Sequence, residues 1–302
     1  MDLSAFLKRH TGSAGAAPPL AVFDCDGTVI RGDIGESMLY YQLEEFLFRT
    51  SPAEVWPGHP RRDVLDRLFH AASRVGASER PHHPEYRRFT DAVLGWYFDQ
   101  LETGDIRSIT AGCADIVRLW AGFTSAEVRE HARANLAREM EIPFGQRPLG
   151  SHTVTRGARF LRESRRLLEE LLQAGFRVWA VSGSSTWSVE PVFEALGVPP
   201  EQVLGIGLSS SAGILTAEVP EPVSVHEGKV RTLEAAGLAE PVLTASDSPL
   251  DLPLLRCSSD LMVFVNTRYP SPDQFFTELR IERDSRWLTI NHPTDETCPT
   301  PR

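Results

Sequence analysis

Lysine is almost absent from this sequence. Of 31 basic residues only two are lysine, Lys8 and Lys229, and the rest are arginine. A chain that uses arginine wherever either base would serve makes a surviving lysine conspicuous. Cysteine is scarce too. Cys25, Cys113, Cys257 and Cys298 are scattered, no two have metal-ligand spacing, and a chain of 302 residues needs no disulfide staples. A reducing, cytoplasmic setting is therefore expected. No apolar run approaches the roughly 18 residues of a bilayer-spanning helix. The opening MDLSAFLKRHTGSAGAAPPLAVF has an early acid and no long apolar stretch, so no signal peptide is expected either, and residues 11–19 read as a loose lead-in. Positive charge is in deficit: 41 acidic against 31 basic residues, a formal net charge of −10. That balance argues against nucleic acid or an anionic membrane surface as the main partner. It also means that any anionic substrate must find its positive charge locally.

What is present is an ordinary globular composition, 41% hydrophobic and 24% charged. LAVFDC, residues 20–25, reads as a short, fully buried strand. Residues 32–155 then carry helical patterns at 35–48, 84–102, 105–120 and 124–140, several opened by a Ser, Thr or Asp suited to capping. With no convincing strand there, the block reads as an all-helical insertion. From 157 the pattern changes to alternating helices and strands. FRVWAV, PVLTAS and LMVFV are the strands, and 203–219 reads as a hairpin around a Ser/Gly turn. Alternation of this kind means a parallel sheet. The predicted fold is α/β: a Rossmann-like doubly wound core, interrupted after its first strand by a helical cap.

Ligands of open α/β sheets bind beyond the carboxyl ends of the strands, so the residues just after each strand matter most. The first strand runs into Asp24-Cys25-Asp26-Gly27-Thr28, the second into Ser182-Gly183-Ser184, and the third into Ser246-Asp247-Ser248-Pro249-Leu250-Asp251; Lys229 opens a helix between the last two. Asp24 and Asp26 share one face of an extended chain. One carboxylate can attack phosphorus, and the other can protonate the leaving oxygen and later deprotonate water. Repulsion between them helps keep one protonated. Cys25 then points to the opposite face, buried and inert. Asp24, Asp247 and the Asp26 carbonyl suit Mg²⁺, which takes few carboxylates plus water and phosphate, with Asp251 and Ser248 behind them. Ser182, the Gly183 N–H and Thr28 are candidates to cradle phosphate, and Lys229 is a point charge able to follow it through transfer. Each feature also has a plain reading: a turn, a helix cap, a solvated acid, a surface lysine. Their joint occurrence, each at a strand end or helix start, favours a single site.

At these residues the sequence resembles the haloacid dehalogenase (HAD) superfamily of aspartate-nucleophile phosphohydrolases. VFDCDGT matches the first motif, VSGS the second, Lys229 the third and SDSPLDLPLL the fourth, over roughly 20–31 and 157–266. Ser246 departs from the Gly many members have before the metal-binding acid. The resemblance implies obligate Mg²⁺, a catalytic core of residues 1–31 and 156–302, and a cap of residues 32–155 closing over the substrate. The second acid, Asp26, speaks against dehalogenation. A cap without lysine speaks against phosphonate chemistry that needs a Schiff base.

Within the superfamily the chain looks most like phosphoserine phosphatases and their relatives, including phosphorylcholine phosphatases. In that branch an acid shortly after the nucleophile binds the substrate amine, and Asp33 and Glu36 fall in that region. Tyr40, Tyr41, Trp96, Tyr97 and Trp120, with Trp187 near the second motif, could complete a box for an ammonium group, although aromatic residues on helices are more often core. The reading is a Mg²⁺-dependent phosphatase for a small, amine-bearing phosphorylated metabolite. A phosphotransferase or phosphomutase using the same site, or a non-catalytic ligand-binding protein, are the alternatives. Oligomeric state is open.

Overall fold

The computed structural model describes residues 3–11, 17–56, 58–292 and 297–298. The loose lead-in expected at 11–19 falls largely on residues 12–16, outside those described, as does the side chain of Cys298. Six strands form the central sheet: β1 (Leu20–Phe23), β2 (Arg177–Ser185), β3 (Val203–Ile206), β4 (Leu243–Ser246), β5 (Leu261–Asn266) and β6 (Trp287–Asn291). All pairings are parallel, in the order β3-β2-β1-β4-β5-β6. The strands β1, β4 and β5 are buried along their whole length. That is why they read as continuous apolar runs and not as alternating patterns. Successive β1 residues still face opposite sides: Ala21 and Phe23 pack with Leu167, Leu168, Val189 and Phe193, while Leu20 and Val22 pack with Leu233 and Leu254. The strand order reverses between β1 and β4, and a crevice opens there at the carboxyl ends.

Between β1 and β2 lies the insertion, with helices Ile34–Glu45, Pro52–Val55, Arg62–Ser73, Pro84–Glu102, Ile106–Arg118 and Ser125–Glu141. The expected caps are present: Asp33, Asp105 and Thr124 each accept a first-turn N–H, and Thr124 forms a capping box with Glu127. The insertion is not wholly helical. Gly145–Leu149 and His152–Arg156 form an antiparallel ribbon turning at Gly150, whose φ is 62°. Its strands hide their period because only Leu149, Val154 and Arg156 are buried, and Pro148 reads as a strand breaker. The predicted hairpin at 203–219 divides differently. Residues 203–206 join the central sheet as β3, and only Ser210–Ser211 and Ile214–Leu215 pair as a hairpin. Past residue 268, the helix Pro272–Glu278 and strand β6 extend the core. Among the described residues no helix is long and apolar enough to cross a membrane.

The insertion is fastened to the core. Arg129 donates to both oxygens of Glu190, at 2.7 and 3.2 Å, and Arg133 reaches Glu194 at 3.2 Å. Backbone bonds from Gly122 N–H to Leu215 O and from Leu215 N–H to Phe123 O, both 2.8 Å, tie it to the small hairpin. Glu190 is 2% exposed, so it cannot find water if its partner is lost. Arg129→Met is therefore expected to cost about 2 kcal/mol in denaturant unfolding. Glu190→Gln is expected to cost less, about 1 kcal/mol, because Arg129 can turn to solvent.

Candidate active site

The strand β1 ends at Phe23, and the Asp24 N–H still bonds to Ala245 O on β4 at 2.9 Å, which fixes Asp24 at the switch point. The chain then turns tightly: Thr28, Val29 and Ile30 N–H all point at Cys25 O. Gly27 sits at φ 70°, and a side chain there would collide with the Asp247 carboxylate. Cys25 points away into the apolar core, fully buried, and burial pushes its thiol well up.

The predicted residues converge. Lys229 Nζ lies 2.8 Å from Asp24 Oδ1 and 2.7 Å from Asp251 Oδ2. Ser246 Oγ donates to Asp251 Oδ2 at 2.7 Å. Asp26 accepts the Ile34 N–H and the Ser184 hydroxyl, both at 2.7 Å. Asp247 is 1% exposed and is met by Arg268 Nε at 2.8 Å. Asp24, Asp26, Ser182, Gly183, Lys229, Asp247, Ser248 and Asp251 all line one cavity of about 150 Å³, and Asp33 and Glu36 line it too. Asp33 meanwhile caps the Ile34–Glu45 helix by accepting the Glu36 N–H at 2.8 Å.

Other candidates fall elsewhere. Thr28 is fully buried, with its Oγ1 accepting the Asp247 N–H at 3.0 Å, so it braces that acid and does not face the cavity. Tyr40 is buried behind Glu36 and donates to it at 2.8 Å. Trp120 is core, packed on Phe123 and His131. Trp96 donates to Asp115 at 2.9 Å, outside this cavity. Among the described residues no aromatic box for an ammonium group surrounds the cavity; of the six aromatic candidates only Tyr97 lines it, 3.3 Å from Glu36. The reason is geometric: neighbouring helix positions face different ways, and most of these rings point into the core of the insertion. The sequence reading placed Ser184 at a strand end without giving it a role, and it missed Arg268. Arg268 follows β5 by two residues, so reading that strand end like the others would have found it.

Charge is unbalanced in the cavity. Six acids (Asp24, Asp26, Asp33, Glu36, Asp247, Asp251) face two fixed cations, Lys229 and Arg268. Burial pushes the Asp24 carboxyl well up, with Asp251 and Asp247 adding to it against Lys229. Burial and then Asp33 push Asp26 up, and burial does the same to Asp247. Asp251 is different: burial is outweighed by Lys229 and by hydrogen bonds, and its carboxyl is held low. For Lys229, burial is outweighed by the two acids and the ammonium is stabilised. Burial thus prevails over Lys229 at Asp24 and is outweighed at Asp251, so Asp24 is the acid of the two left wanting positive charge. Hard oxygen donors with too little positive charge fit a divalent cation. Among the described residues no three His, Cys, Asp or Glu form a closed metal cage. Asp24, Asp247 and the Asp26 carbonyl would instead be an open set, completed by water and substrate.

With this geometry in view, the chain can be placed. Residues 90–256, more than half of its length, match the model of the haloacid dehalogenase-like hydrolase family, and the chain belongs to that family. The matched span takes in Ser182, Lys229, Asp247 and Asp251 and stops short of Asp24 and Asp26. No curated protein matches the sequence. Among solved structures, a conserved protein of unknown function from Anaerococcus prevotii is similar over 91% of this chain and 86% of its own, at 18% identity and a TM-score of 0.68. A protein of unknown function from Bordetella pertussis is similar over 91% and 99%, at 18% identity and a TM-score of 0.56. These likenesses are of fold.

Burial, then Asp33, moves Glu36 from its ordinary 4.5 to about 7. The folded state therefore holds a proton on Glu36 that the unfolded chain has released, and stability falls as pH rises from 4.5 to about 7. Replacing Glu36 by Gln should remove roughly 2 kcal/mol of that fall, read from urea midpoints across this range.

Proposed function

We propose that this chain is a phosphomonoesterase for a small phosphorylated metabolite, with Asp24 as covalent nucleophile. The observation that carries the reading is the buried Asp24–Lys229–Asp251 array with Asp26 in the same cavity. An Asp24 oxygen attacks phosphorus and takes the phosphoryl group. Asp26, which burial and Asp33 favour in its protonated form, gives its proton to the leaving oxygen. It then takes a proton from the water that attacks phosphorus and frees Asp24. Lys229 neutralises phosphate oxygens through both steps, and Ser182 with the Gly183 N–H holds the transferred group. A Mg²⁺ held by Asp24, Asp247 and the Asp26 carbonyl, with Asp251 and Ser248 behind them, would supply the remaining positive charge. Together these cations answer the anion problem of a chain with net charge −10.

The leaving group is proposed to carry an amine. Asp33 and Glu36 line the cavity beyond the phosphate-handling groups, and above pH 7 Glu36 is the anion to attract it. The setting proposed is the cytoplasm. The same residues would serve a phosphotransferase, which added acceptor alcohols would reveal by diverting phosphate from water.

Purified protein with Mg²⁺ is expected to release phosphate from a panel of phosphoserine, phosphoethanolamine, phosphocholine and sugar phosphates, and to stop when Mg²⁺ is chelated. Asp24→Asn should lower the rate by about 10⁴-fold or more, and Asp26→Asn by about 10²–10⁴-fold. An undiminished Asp24→Asn variant would sink the reading. For amine-bearing esters KM should fall as pH rises through about 7, and Glu36→Gln should flatten that trend. A strict preference for uncharged sugar phosphates would remove the amine proposal alone.

A further inference from the structure

Asp26 is held at both of its carboxylate oxygens. Oδ1 accepts the Ile34 N–H and Oδ2 accepts the Ser184 hydroxyl, each at 2.7 Å. The two donors come from different parts of the molecule: Ile34 opens the first helix of the insertion, and Ser184 lies on β2 of the core. Together they fix the plane of a carboxyl that lines the cavity of about 150 Å³. The two oxygens are not equivalent. An amide N–H can only donate, which disfavours a proton on Oδ1. A hydroxyl donates or accepts, so Ser184 can keep its bond to Oδ2 whether that oxygen carries a proton or a charge.

Ser184 is itself tightly placed. It is buried, and its N–H bonds to Ser182 Oγ at 3.1 Å. The β2–β3 register shifts between Val181 and Ser185, and a side chain at Gly205 on β3 would come within 2.6 Å of Ser184 O. That close approach fixes the backbone. The hydroxyl is confined from the other side, by Gly35. A β-carbon on Gly35 would overlap Ser184 Oγ and lie 2.9 Å from Ser184 Cβ. Gly35 has no need of glycine's backbone freedom. It lies in the first turn of the Ile34–Glu45 helix, outside the left-handed region, where alanine is the better helix former. What glycine supplies at this position is room for the Ser184 hydroxyl beside Asp26.

We propose that Ser184 is a positioning residue for the acid step: it aims Oδ2 of Asp26 at the leaving oxygen, and Gly35 leaves the space in which its hydroxyl does so. This rests on the phosphatase reading above. In that step the O–H bond on Asp26 Oδ2 breaks as the leaving oxygen takes the proton, and Oδ2 gains the negative charge. A hydrogen bond to an ionised oxygen is stronger than one to a neutral oxygen, so donation from Ser184 strengthens as the proton departs. The bond therefore favours the transition state over the bound ester. An alkoxide leaving group needs that proton. A p-nitrophenolate, a far weaker base, leaves without it. Dependence on Ser184 follows the same division.

The test compares the fastest alkyl ester of the panel above with p-nitrophenyl phosphate, on the full chain with Mg²⁺. The readout is kcat/KM, which covers the steps up to loss of the leaving group. Ser184→Ala should lower it by about 10–100-fold for the alkyl ester and by about threefold or less for the aryl ester. Gly35→Ala, which keeps the hydroxyl but displaces it, should show the same selectivity. An equal loss for both esters in either variant would mark a merely structural role and overturn the inference. So would an alkyl ester that either variant turns over as fast as the wild type. In both cases the phosphatase reading would stand. No phosphate from either ester with the wild type would overturn that reading, and this one with it.

Discussion

A lysine ammonium buried between two carboxylates holds this site together. Lys229 is 5% exposed, and such a charge is costly to bury unless partners are fixed around it. Its partners come from separate parts of the chain: Asp24 from the end of β1, Asp251 from the segment after β4. Neither could meet the lysine unless β1 and β4 were neighbours and the Glu227–Ala235 helix packed over them. The parallel sheet and its reversal between β1 and β4 supply that. Ser246, on β4 itself, adds a hydroxyl to Asp251, so the departure from glycine at this position brings a further hydrogen bond to the array.

The same array explains the electrostatics. Two acids share one lysine, and only at Asp251 do the lysine and the hydrogen bonds outweigh burial and hold the carboxyl low. Asp24 and Asp247 are left with carboxyls that burial raises. A site poised in this way favours whatever brings positive charge to it, and burial with Asp33 raises the Asp26 carboxyl as the proposed acid step requires. The acid-rich composition is thus compatible with anion chemistry, because positive charge is placed locally and not spread over the surface.

How much of this could be read from sequence depended on the kind of signal. Buried parallel strands announce themselves as apolar runs, and the residues that follow them fall at the crevice, so Asp24, Ser182, Asp247 and Lys229 were legible. The ribbon at 145–156 was not, since one buried apolar residue per strand leaves no period to detect. Nor could the facing of the aromatic residues be read. Tyr40 and Trp120 are core of the insertion, and only the packed helices decide that. Thr28 was legible as part of a motif but not in its role, because its hydroxyl is committed to Asp247 only once β4 lies alongside.

The account turns on a covalent bond to Asp24, and trapping that bond is its most direct test. Protein quenched with borohydride during turnover of a phosphate ester should show Asp24 reduced to homoserine by peptide mass spectrometry, because an acyl phosphate is reducible and a free carboxylate is not. The conversion should need both ester and Mg²⁺. Phosphate release at full rate with Asp24 unmodified, or homoserine at another acid, would contradict the account.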